Sequence, residues 1–253
     1  MLKRYLVCLA LVISFAFAGS AIAAQKTYIN GIDANYPPHG YMGKSGQPEG
    51  LDVEAVDWIG KKMGFQVKHV PMDWDTIIAS LLAKKIDMVA SGMSISPERT
   101  AVVTFSNPYF KVAKVLVVRN NNKLTRDQVL AGKKTLGVQR GTNEAEWLEQ
   151  NKAPNKWNYA LKYYDSAPMA IEDLVNGRID AAAVDSAPAN NAIKQGKKPV
   201  QIVGEFADSD DFGVATRNED KELRELINKG FDLLKKDPYW LELQEKYDSY
   251  SAD

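Results

Sequence analysis

Several residues of this sequence are suited to binding the carboxylate of a small ligand. Arg99 offers a planar guanidinium that matches a carboxylate through two parallel hydrogen bonds. The backbone N–H groups of Thr142 and Asn143 open a predicted helix, and the N-terminus of a helix favours an anion. Structural roles are the alternatives, because Arg99 can pair with Glu98 or Asp52 and Thr142 can be a helix cap only. The residue types therefore nominate a carboxylate site.

Other residues are suited to binding an ammonium group. Asp185 follows a predicted buried strand and can face a cation, while Ser94 and the carbonyl group of Gly92 can accept hydrogen bonds from the same cation. Asp33 is a second acid at the end of a predicted strand and is available to a ligand side chain. Its alternative role is to organise the turn before Tyr36. Together with the carboxylate site, these residues would hold both charges of a zwitterion.

Other chemistries lack their usual residues. The two histidines, His39 and His69, are far apart in the sequence and no His/Cys cluster has metal-ligand spacing, so we predict no metal site. The sequence has no G-x-G-x-x-G, G-x-x-x-x-G-K-[ST] or G-x-S-x-G motif, so nucleotide binding and serine-hydrolase chemistry are not indicated, and we predict no cofactor. Lys+Arg and Asp+Glu are both 32, and a net charge of zero gives no indication of nucleic-acid binding.

The first 23 residues have the pattern of a secretory signal peptide. Met1 to Arg4 carry two positive charges, residues 5–18 are almost purely apolar, and small residues follow. We predict cleavage after Ala23 and an exported, soluble product; an uncleaved membrane anchor is the alternative. Cys8, the only cysteine, lies in this segment. The mature chain therefore has no disulfide, no thiol nucleophile and no cysteine-based metal site.

The rest of the sequence alternates β-type runs with amphipathic helical stretches. This alternation predicts an α/β fold of mainly parallel sheets flanked by helices. Ligands bind such sheets beyond the carboxyl ends of the strands, which nominates the loops 33–36, 91–94 and 139–143 and the position of Asp185. Strands are predicted at 26–32, 66–70, 86–90, 115–118, 136–139 and 179–184, and helices at 52–63, 73–84, from 97, from 126, 141–150 and 166–177.

A short internal repeat indicates two similar lobes. Residues 81–87 (LLAKKID) match residues 174–180 (LVNGRID), and each segment reads as a helix end, a basic residue, Ile-Asp and then a buried strand. Chance is the alternative, because helix–turn–strand units share composition. The chain length also suits two lobes of about a hundred residues each.

An ordered series of motifs makes the sequence recognisable. It resembles the periplasmic polar amino-acid-binding proteins of ABC importers, the family with lysine/arginine/ornithine-, histidine-, glutamine- and arginine-binding members. The similarity spans nearly the whole mature chain. The motifs are GIDANYPP (31–38), GLDVE (50–54), KID (85–87), SGMSISPER (91–99), FSNPY (105–109), GVQRGT (137–142) and NGRIDA (176–181).

The resemblance implies a two-lobed periplasmic binding protein fold of the Venus-flytrap type. Each lobe would be a mainly parallel sheet flanked by helices, and two crossing strands would form the hinge. The expected boundaries are residues 1–23 for the signal peptide, 24–110 plus 213–253 for the first lobe and 111–212 for the second lobe.

The resemblance also assigns roles to single residues. By position, Arg99 matches the arginine that binds the α-carboxylate of the ligand, and Thr142 matches a residue that assists it. Asp185 matches the acid that binds the α-ammonium, assisted by Ser94 and Gly92. Asp33 matches an acid that contacts the ligand side chain, and Tyr36 matches an aromatic residue that packs on the aliphatic part of the ligand.

Two positions depart from the pattern of the family. Leu51 stands where an aromatic residue is usual, and His39 replaces a common Phe. Trp74 can compensate for the lost aromatic contact or can pack at the start of its helix. The complete set of predicted ligand-binding residues is Asp33, Tyr36, Leu51, Trp74, Ser91, Gly92, Met93, Ser94, Arg99, Gln139, Thr142, Asn143 and Asp185.

The expected function is capture of a polar L-amino acid and its delivery to an ABC permease from the periplasm, by a monomer without nucleic-acid partners. Asp33 is the charged group left for the ligand side chain, so cationic ligands are favoured and acidic ones disfavoured. Arginine or lysine comes first, followed by ornithine, histidine or neutral glutamine. One alternative is an enzyme on the same fold, such as a periplasmic cyclohexadienyl dehydratase, for which Glu144 is the candidate general acid. Another is a ligand-sensing partner of a receptor.

Overall fold

The computed structural model describes residues 25–251. The predicted signal peptide, its cleavage site after Ala23 and Cys8 lie outside these residues. Within residues 25–251, no helix has the length and apolar character needed to cross a membrane.

Residues 25–251 form thirteen strands, nine α-helices and one short 3-10 helix, Trp74–Thr76. The strands are β1 Thr27–Ile32, β2 Asn35–Tyr36, β3 Gly40–Met42, β4 Pro48–Glu49, β5 Gln66–Pro71, β6 Met88–Val89, β7 Thr104–Phe105, β8 Phe110–Arg119, β9 Thr135–Gln139, β10 Ala160–Tyr164, β11 Ala181–Asp185, β12 Val200–Phe212 and β13 Ala215–Thr216. The α-helices are α1 Leu51–Met63, α2 Ile77–Leu82, α3 Pro97–Thr100, α4 Arg126–Ala131, α5 Asn143–Lys152, α6 Ala167–Val175, α7 Ser186–Lys194, α8 Lys221–Leu234 and α9 Pro238–Tyr247.

Two five-stranded sheets confirm the predicted two-lobed α/β architecture. Their strand orders are β5-β1-β6-β13-β7 and β10-β9-β11-β8-β12. In each sheet the first three strands pair in parallel, and the two strands beyond them pair antiparallel. Corresponding positions thus have the same direction in both sheets, which is the arrangement expected if one lobe were duplicated. A small antiparallel sheet, β2-β3-β4, lies beside the first.

The internal repeat seen in the sequence has the same structural role in both lobes. The carboxylate of Asp87 accepts a hydrogen bond from the backbone N–H of Ile29 at 2.8 Å, and that of Asp180 accepts from Thr135 at 2.8 Å. Ile29 and Thr135 lie on corresponding strands, β1 and β9. The aspartate of the Ile-Asp motif therefore connects each helix–strand turn to the neighbouring parallel strand by a hydrogen bond.

An arginine completes the turn in each lobe. Arg217 donates from Nη1 to the carbonyl oxygens of Leu81 and Ile86, and Arg119 donates from Nη1 to those of Leu174 and Ile179. The two sets of carbonyl groups occupy matching positions of the repeat. These shared contacts support duplication over chance.

Side-chain caps fix the helix starts that carry the site. The hydroxyl of Ser96 accepts from the N–H of Arg99 at 3.4 Å, and α3 begins with Pro97 as predicted. The hydroxyl of Thr142 accepts from the N–H of Ala145 at 3.3 Å and so caps α5. Local capping chemistry therefore places the guanidinium of Arg99 and the N-terminus of α5.

Two predicted elements differ in the structure. The helix expected at 73–84 is a 3-10 helix followed by the short α2, and the side chain of Asp73 makes no capping hydrogen bond. Leu82, expected to face inward, is 45% exposed. The strand expected at 115–118 extends over the whole of β8, because it pairs with β12 along its length.

The chain passes between the two sheets twice, from β7 to β8 and from β12 to β13. Phe110 pairs with Phe212 where these crossings lie side by side. Further along the same two strands, the ammonium group of Lys114 forms an ion pair with the carboxylate of Asp210, and both side chains are largely buried. The two lobes are therefore joined by adjacent antiparallel strands, as the predicted hinge requires.

Candidate ligand-binding site

A small cleft lies between the two lobes. Loops that follow strands in both sheets supply its wall, as expected for ligand sites in α/β folds. Eleven of the thirteen predicted residues line the cleft, and Glu144 joins them. The lining residues are Asp33, Tyr36, Trp74, Ser91, Gly92, Ser94, Arg99, Gln139, Thr142, Asn143, Glu144 and Asp185.

Arg99 presents its guanidinium to the cleft and is only 8% exposed. Its Nη1 donates to the carbonyl oxygen of Ser94 at 2.8 Å, and its Nη2 donates to that of Gly141 at 3.2 Å. These partners differ from the alternatives Glu98 and Asp52. Burial lowers the pKa of Arg99 from its ordinary value of 12.5, and nearby acids oppose that effect. Two of its five N–H donors are used by the carbonyl groups, so three are available to a carboxylate.

The start of α5 faces the same cleft. The hydroxyl of Thr142 donates to the carbonyl oxygen of Gln139 at 2.8 Å and accepts from Ala145, so this side chain acts as a cap. The first amide groups of a helix have no intrahelical acceptor. What this segment offers an anion is therefore the backbone N–H groups of Thr142 and Asn143.

Asp185 ends β11, lines the same cleft and is 7% exposed. Its Oδ2 accepts a hydrogen bond from the hydroxyl of Tyr36, whereas its Oδ1 has no donor within residues 25–251. Burial raises the pKa of Asp185 well above its ordinary value of 3.8, and the neighbouring Glu144 carboxylate adds to this effect. A cation that approached Oδ1 would stabilise the ionised form of Asp185.

Asp33 organises the turn before Tyr36 and also lines the cleft. Its Oδ1 accepts from the N–H of Asn35 at 2.9 Å, which organises the turn, and its Oδ2 accepts from Nε2 of Gln139 at 2.8 Å across the cleft. The hydroxyl of Ser91 accepts from the N–H of Asp33 at 2.9 Å and fixes its backbone. Burial raises the pKa of Asp33 above its ordinary value of 3.8.

Trp74 also reaches across the cleft. Its indole Nε1 donates to the carbonyl oxygen of Gly141 at 3.0 Å, and the guanidinium of Arg99 lies 5.4 Å from its ring centroid. The stacked side chains of Trp74 and Arg99 both belong to the first lobe, and both donate to the carbonyl oxygen of Gly141 in the second lobe. Together with the Tyr36–Asp185 and Gln139–Asp33 hydrogen bonds, these contacts bring the charged groups of both lobes into one enclosed site.

Leu51 and Met93, which were predicted to bind ligand, do not line the cleft in this structure. Each is fully buried and absent from the cleft wall. Leu51 packs in the core of the first lobe with Tyr36 and Ala55, and Met93 packs in a separate cluster with Val89. The strand-end loop directs Gly92 and Ser94 to the cleft and turns the side chain between them to the core.

A buried network behind the cleft was missed by the sequence analysis. The two carboxylate oxygens of Asp52 have different partners: Oδ1 lies 2.9 Å from Nδ1 of His39, and Oδ2 accepts from the N–H of Gly92 at 2.6 Å and from the hydroxyl of Tyr109 at 2.5 Å. Asp52 therefore positions the backbone of Gly92, which lines the cleft. The departure of His39 from the usual Phe was the signal available in the sequence.

Within residues 25–251, no group of three or more His, Cys, Asp and Glu side chains is arranged to hold a metal ion.

Residues 28–249 match the model of the bacterial extracellular solute-binding proteins, family 3. The match covers almost all of residues 25–251, so the chain belongs to this family.

Individual relatives refine this assignment. The L-cystine-binding protein TcyJ of Escherichia coli strain K12 is 33% identical, over 95% of this chain and 89% of TcyJ. The structure of an ABC uptake transporter substrate-binding protein from Streptococcus pneumoniae with bound histidine has a TM-score of 0.82 and 29% identity, over 87% of this chain and 92% of that chain. The structure of the ancestral amino acid-binding protein AncCDT-1, a precursor of cyclohexadienyl dehydratase, has a TM-score of 0.78 and 32% identity, over 87% of this chain and 95% of that chain. The predicted class, a solute-binding protein for amino-acid import by an ABC transporter, is confirmed.

Proposed function

We propose that this protein binds an L-α-amino acid whose side chain carries a second positive charge, and delivers it from the periplasm to an ABC permease. The observation that carries the proposal is the charge of the cleft wall. Its charged lining residues are three acids, Asp33, Glu144 and Asp185, and one base, Arg99. A ligand with no net charge leaves the net negative charge of the cleft wall unchanged, whereas a cationic ligand reduces it. Acidic ligands would add like charges to a buried site.

The two ends common to all amino acids have separate partners in this proposal. Arg99 and the backbone N–H groups of Thr142 and Asn143 bind the α-carboxylate, and Asp185 binds the α-ammonium with Ser94 and the carbonyl group of Gly92. Because Arg99 and Asp185 belong to different lobes, only the closed cleft pairs both ends of the ligand.

The side chain of the ligand is assigned to Asp33, with Ser91 behind it and with the Tyr36 ring and Gln139 beside it. A second cavity of about 450 Å³ shares Asp33 and Trp74 with the cleft. This space supports a long side chain, as in arginine or lysine. Cystine, the ligand in the name of TcyJ, also has a second ammonium far from the first, but its second carboxylate cancels that charge. The charge of the cleft wall therefore favours arginine or lysine over cystine.

The Asp33→Asn variant tests this assignment. It preserves the shape of the residue and removes its charge, so L-arginine should lose about 2–5 kcal/mol of binding free energy. L-glutamine should lose much less, because a neutral amide needs only hydrogen-bond partners. Isothermal titration calorimetry of both ligands measures the difference.

The control is Asp127→Asn, at an exposed acid that lines neither the cleft nor the second cavity. This variant should change both affinities about threefold at most. If Asp33→Asn leaves the affinity for L-arginine intact, or if the wild type binds L-glutamate best, the assignment is wrong.

The hinge is proposed at the two crossings of the chain. Lobe boundaries at 110/111 and at 212/213 place β8 and β12 in the second lobe, and closure would rotate the lobes about the ends of these strands. Saturating ligand should then lower the radius of gyration of the monomer in solution scattering. An increase on ligand addition would contradict hinge closure.

The proposal includes export of the protein and cleavage of its signal peptide after Ala23. It does not include catalysis. One observation favours an enzyme, since a buried carboxyl group such as Asp185 beside Glu144 can act as a general acid. The relatives compared above are named as binding proteins. Incubation with prephenate or arogenate should leave both compounds unchanged in NMR spectra, and consumption of either would replace this proposal with an enzymatic one.

A further inference from the structure

Glu144 is a buried carboxylate in the cleft wall with no partner for one of its oxygens. It lies in the first turn of α5, is 5% exposed and lines the cavity. Its Oε1 has no hydrogen-bond donor within the part of the chain that the structure describes, and the same is true of Oδ1 of Asp185. Two neighbouring buried acceptors that lack donors within residues 25–251 need either a donor from a ligand or a proton held between them.

The two carboxylates form one electrostatic unit. Burial is the largest cause that raises the pKa of Asp185, and the adjacent Glu144 is the next. The Tyr36 hydroxyl opposes this rise by donating to Asp185, and Asp210 on β12 reinforces it. The guanidinium of Arg99 on α3 interacts electrostatically with both Glu144 and Asp185. The single guanidinium of Arg99, which also binds the ligand carboxylate, cannot neutralise the carboxylates of Glu144, Asp185 and Asp210.

We propose that Glu144 is a second carboxylate of the ammonium site: the closed cleft holds one positively charged donor between Glu144 and Asp185, either the α-ammonium of the ligand or a proton. This inference rests on the proposed function, which assigns the α-ammonium to Asp185. An ammonium has three N–H donors, enough for one oxygen of each carboxylate and for the carbonyl group of Gly92. Glu144 thereby determines the preference of the site for a cation.

The pair also makes closure depend on that cation. Two buried carboxylates with nothing between them repel each other, so an empty cleft resists closure at neutral pH. A proton and the ligand compete for the same place. The negative charge of each carboxylate raises the pKa at which the pair takes up its first proton. A proton therefore begins to compete with the ligand at a higher pH for two carboxylates than for one.

The test compares Glu144→Gln with Glu146→Gln, a control in the same helical turn whose side chain is absent from the cleft wall. Calorimetric titrations of L-arginine and L-cystine run from about pH 7.5 to about pH 4.5. Glu144→Gln should weaken binding at least about tenfold at neutral pH, and its affinity should begin to fall at a lower pH than that of the wild type. Glu146→Gln should match the wild type in both respects.

Ligand analogues without amino groups separate the ammonium from the shape of the cleft. δ-Guanidinovalerate replaces arginine, and dithiodipropionate replaces cystine. Glu144→Gln should bind these analogues as well as the wild type does, or better.

The outcomes are distinguishable. If the wild type binds neither L-arginine nor L-cystine, the proposed function fails and this inference fails with it. If the wild type binds either ligand and Glu144→Gln binds it equally well or more tightly, only this inference is wrong. An equal loss of affinity for the analogues would also overturn it, because Glu144 would then act on the shape of the cleft.

Discussion

Replacement of Arg99 by Ala tests the carboxylate end of the site. The guanidinium is 8% exposed, and its two carbonyl contacts leave three N–H donors for the ligand. Without it, the α-carboxylate would be buried with only backbone N–H groups as partners. Loss of one partner of a buried charge pair costs about 2–5 kcal/mol, and 2 kcal/mol is already more than about a twentyfold loss in affinity.

Isothermal titration calorimetry with L-arginine measures this loss, and thermal unfolding reports whether the variant is folded. The control is Arg140→Ala, because Arg140 is half-exposed and forms an ion pair with the exposed Asp165. An exposed pair contributes little, so this control should change the affinity about threefold at most. A folded Arg99→Ala variant with wild-type affinity would show that Arg99 is structural and would refute the assignment.

Two further predictions concern backbone strain and pH. Gly92→Ala should lower both affinity and melting temperature, because Gly92 has φ +61° and an added Cβ would lie 2.5 Å from the Tyr36 ring. The control is Gly46→Ala, at φ +75° with nothing within 4 Å of an added Cβ, which should lose only the backbone strain of about 1–2 kcal/mol. Equal losses of stability in the two variants would contradict the clash with Tyr36. The raised pKa values of Asp33 and Asp185 mean that the folded protein binds more protons than the unfolded chain above their ordinary value of 3.8. The contribution of these two carboxyl groups to the free energy of unfolding of the ligand-free protein should therefore fall as the pH rises above 3.8. The melting temperature of an Asp33→Asn/Asp185→Asn variant should rise relative to that of the wild type as the pH rises, and a relative fall would contradict these shifts.

The helix starts of the site were predictable because local chemistry determines them. Ser96 before a proline and Thr142 before acidic residues are capping signals that need no distant partner. The ends of β-type runs likewise located the loops that carry Asp33 and Asp185. Eleven of the thirteen nominated residues line the cleft for this reason.

The failures concern side chains whose direction depends on distant contacts. Loops at strand ends have no periodicity, so nothing in the sequence separates Met93, which faces the core, from Ser94, which faces the cleft. Leu51 was assigned from the position of an aromatic residue in the family, but here the first turn of α1 is buried. Glu144 was named only as the candidate general acid of an enzyme, because its neighbours Arg99 and Asp185 are distant in the sequence.

The central claim is that the cleft binds amino acids with a second positive charge, and a calorimetric ligand panel tests it most directly. The wild-type protein is freed of bound ligand and titrated with arginine, lysine, ornithine, histidine, cystine, glutamine, glutamate and aspartate. The charges of Asp33, Glu144 and Asp185 predict that the tightest ligand carries a second cationic group and that glutamate and aspartate give no binding heat. Tightest binding of an acidic amino acid, or no binding of any member of the panel, would contradict the account.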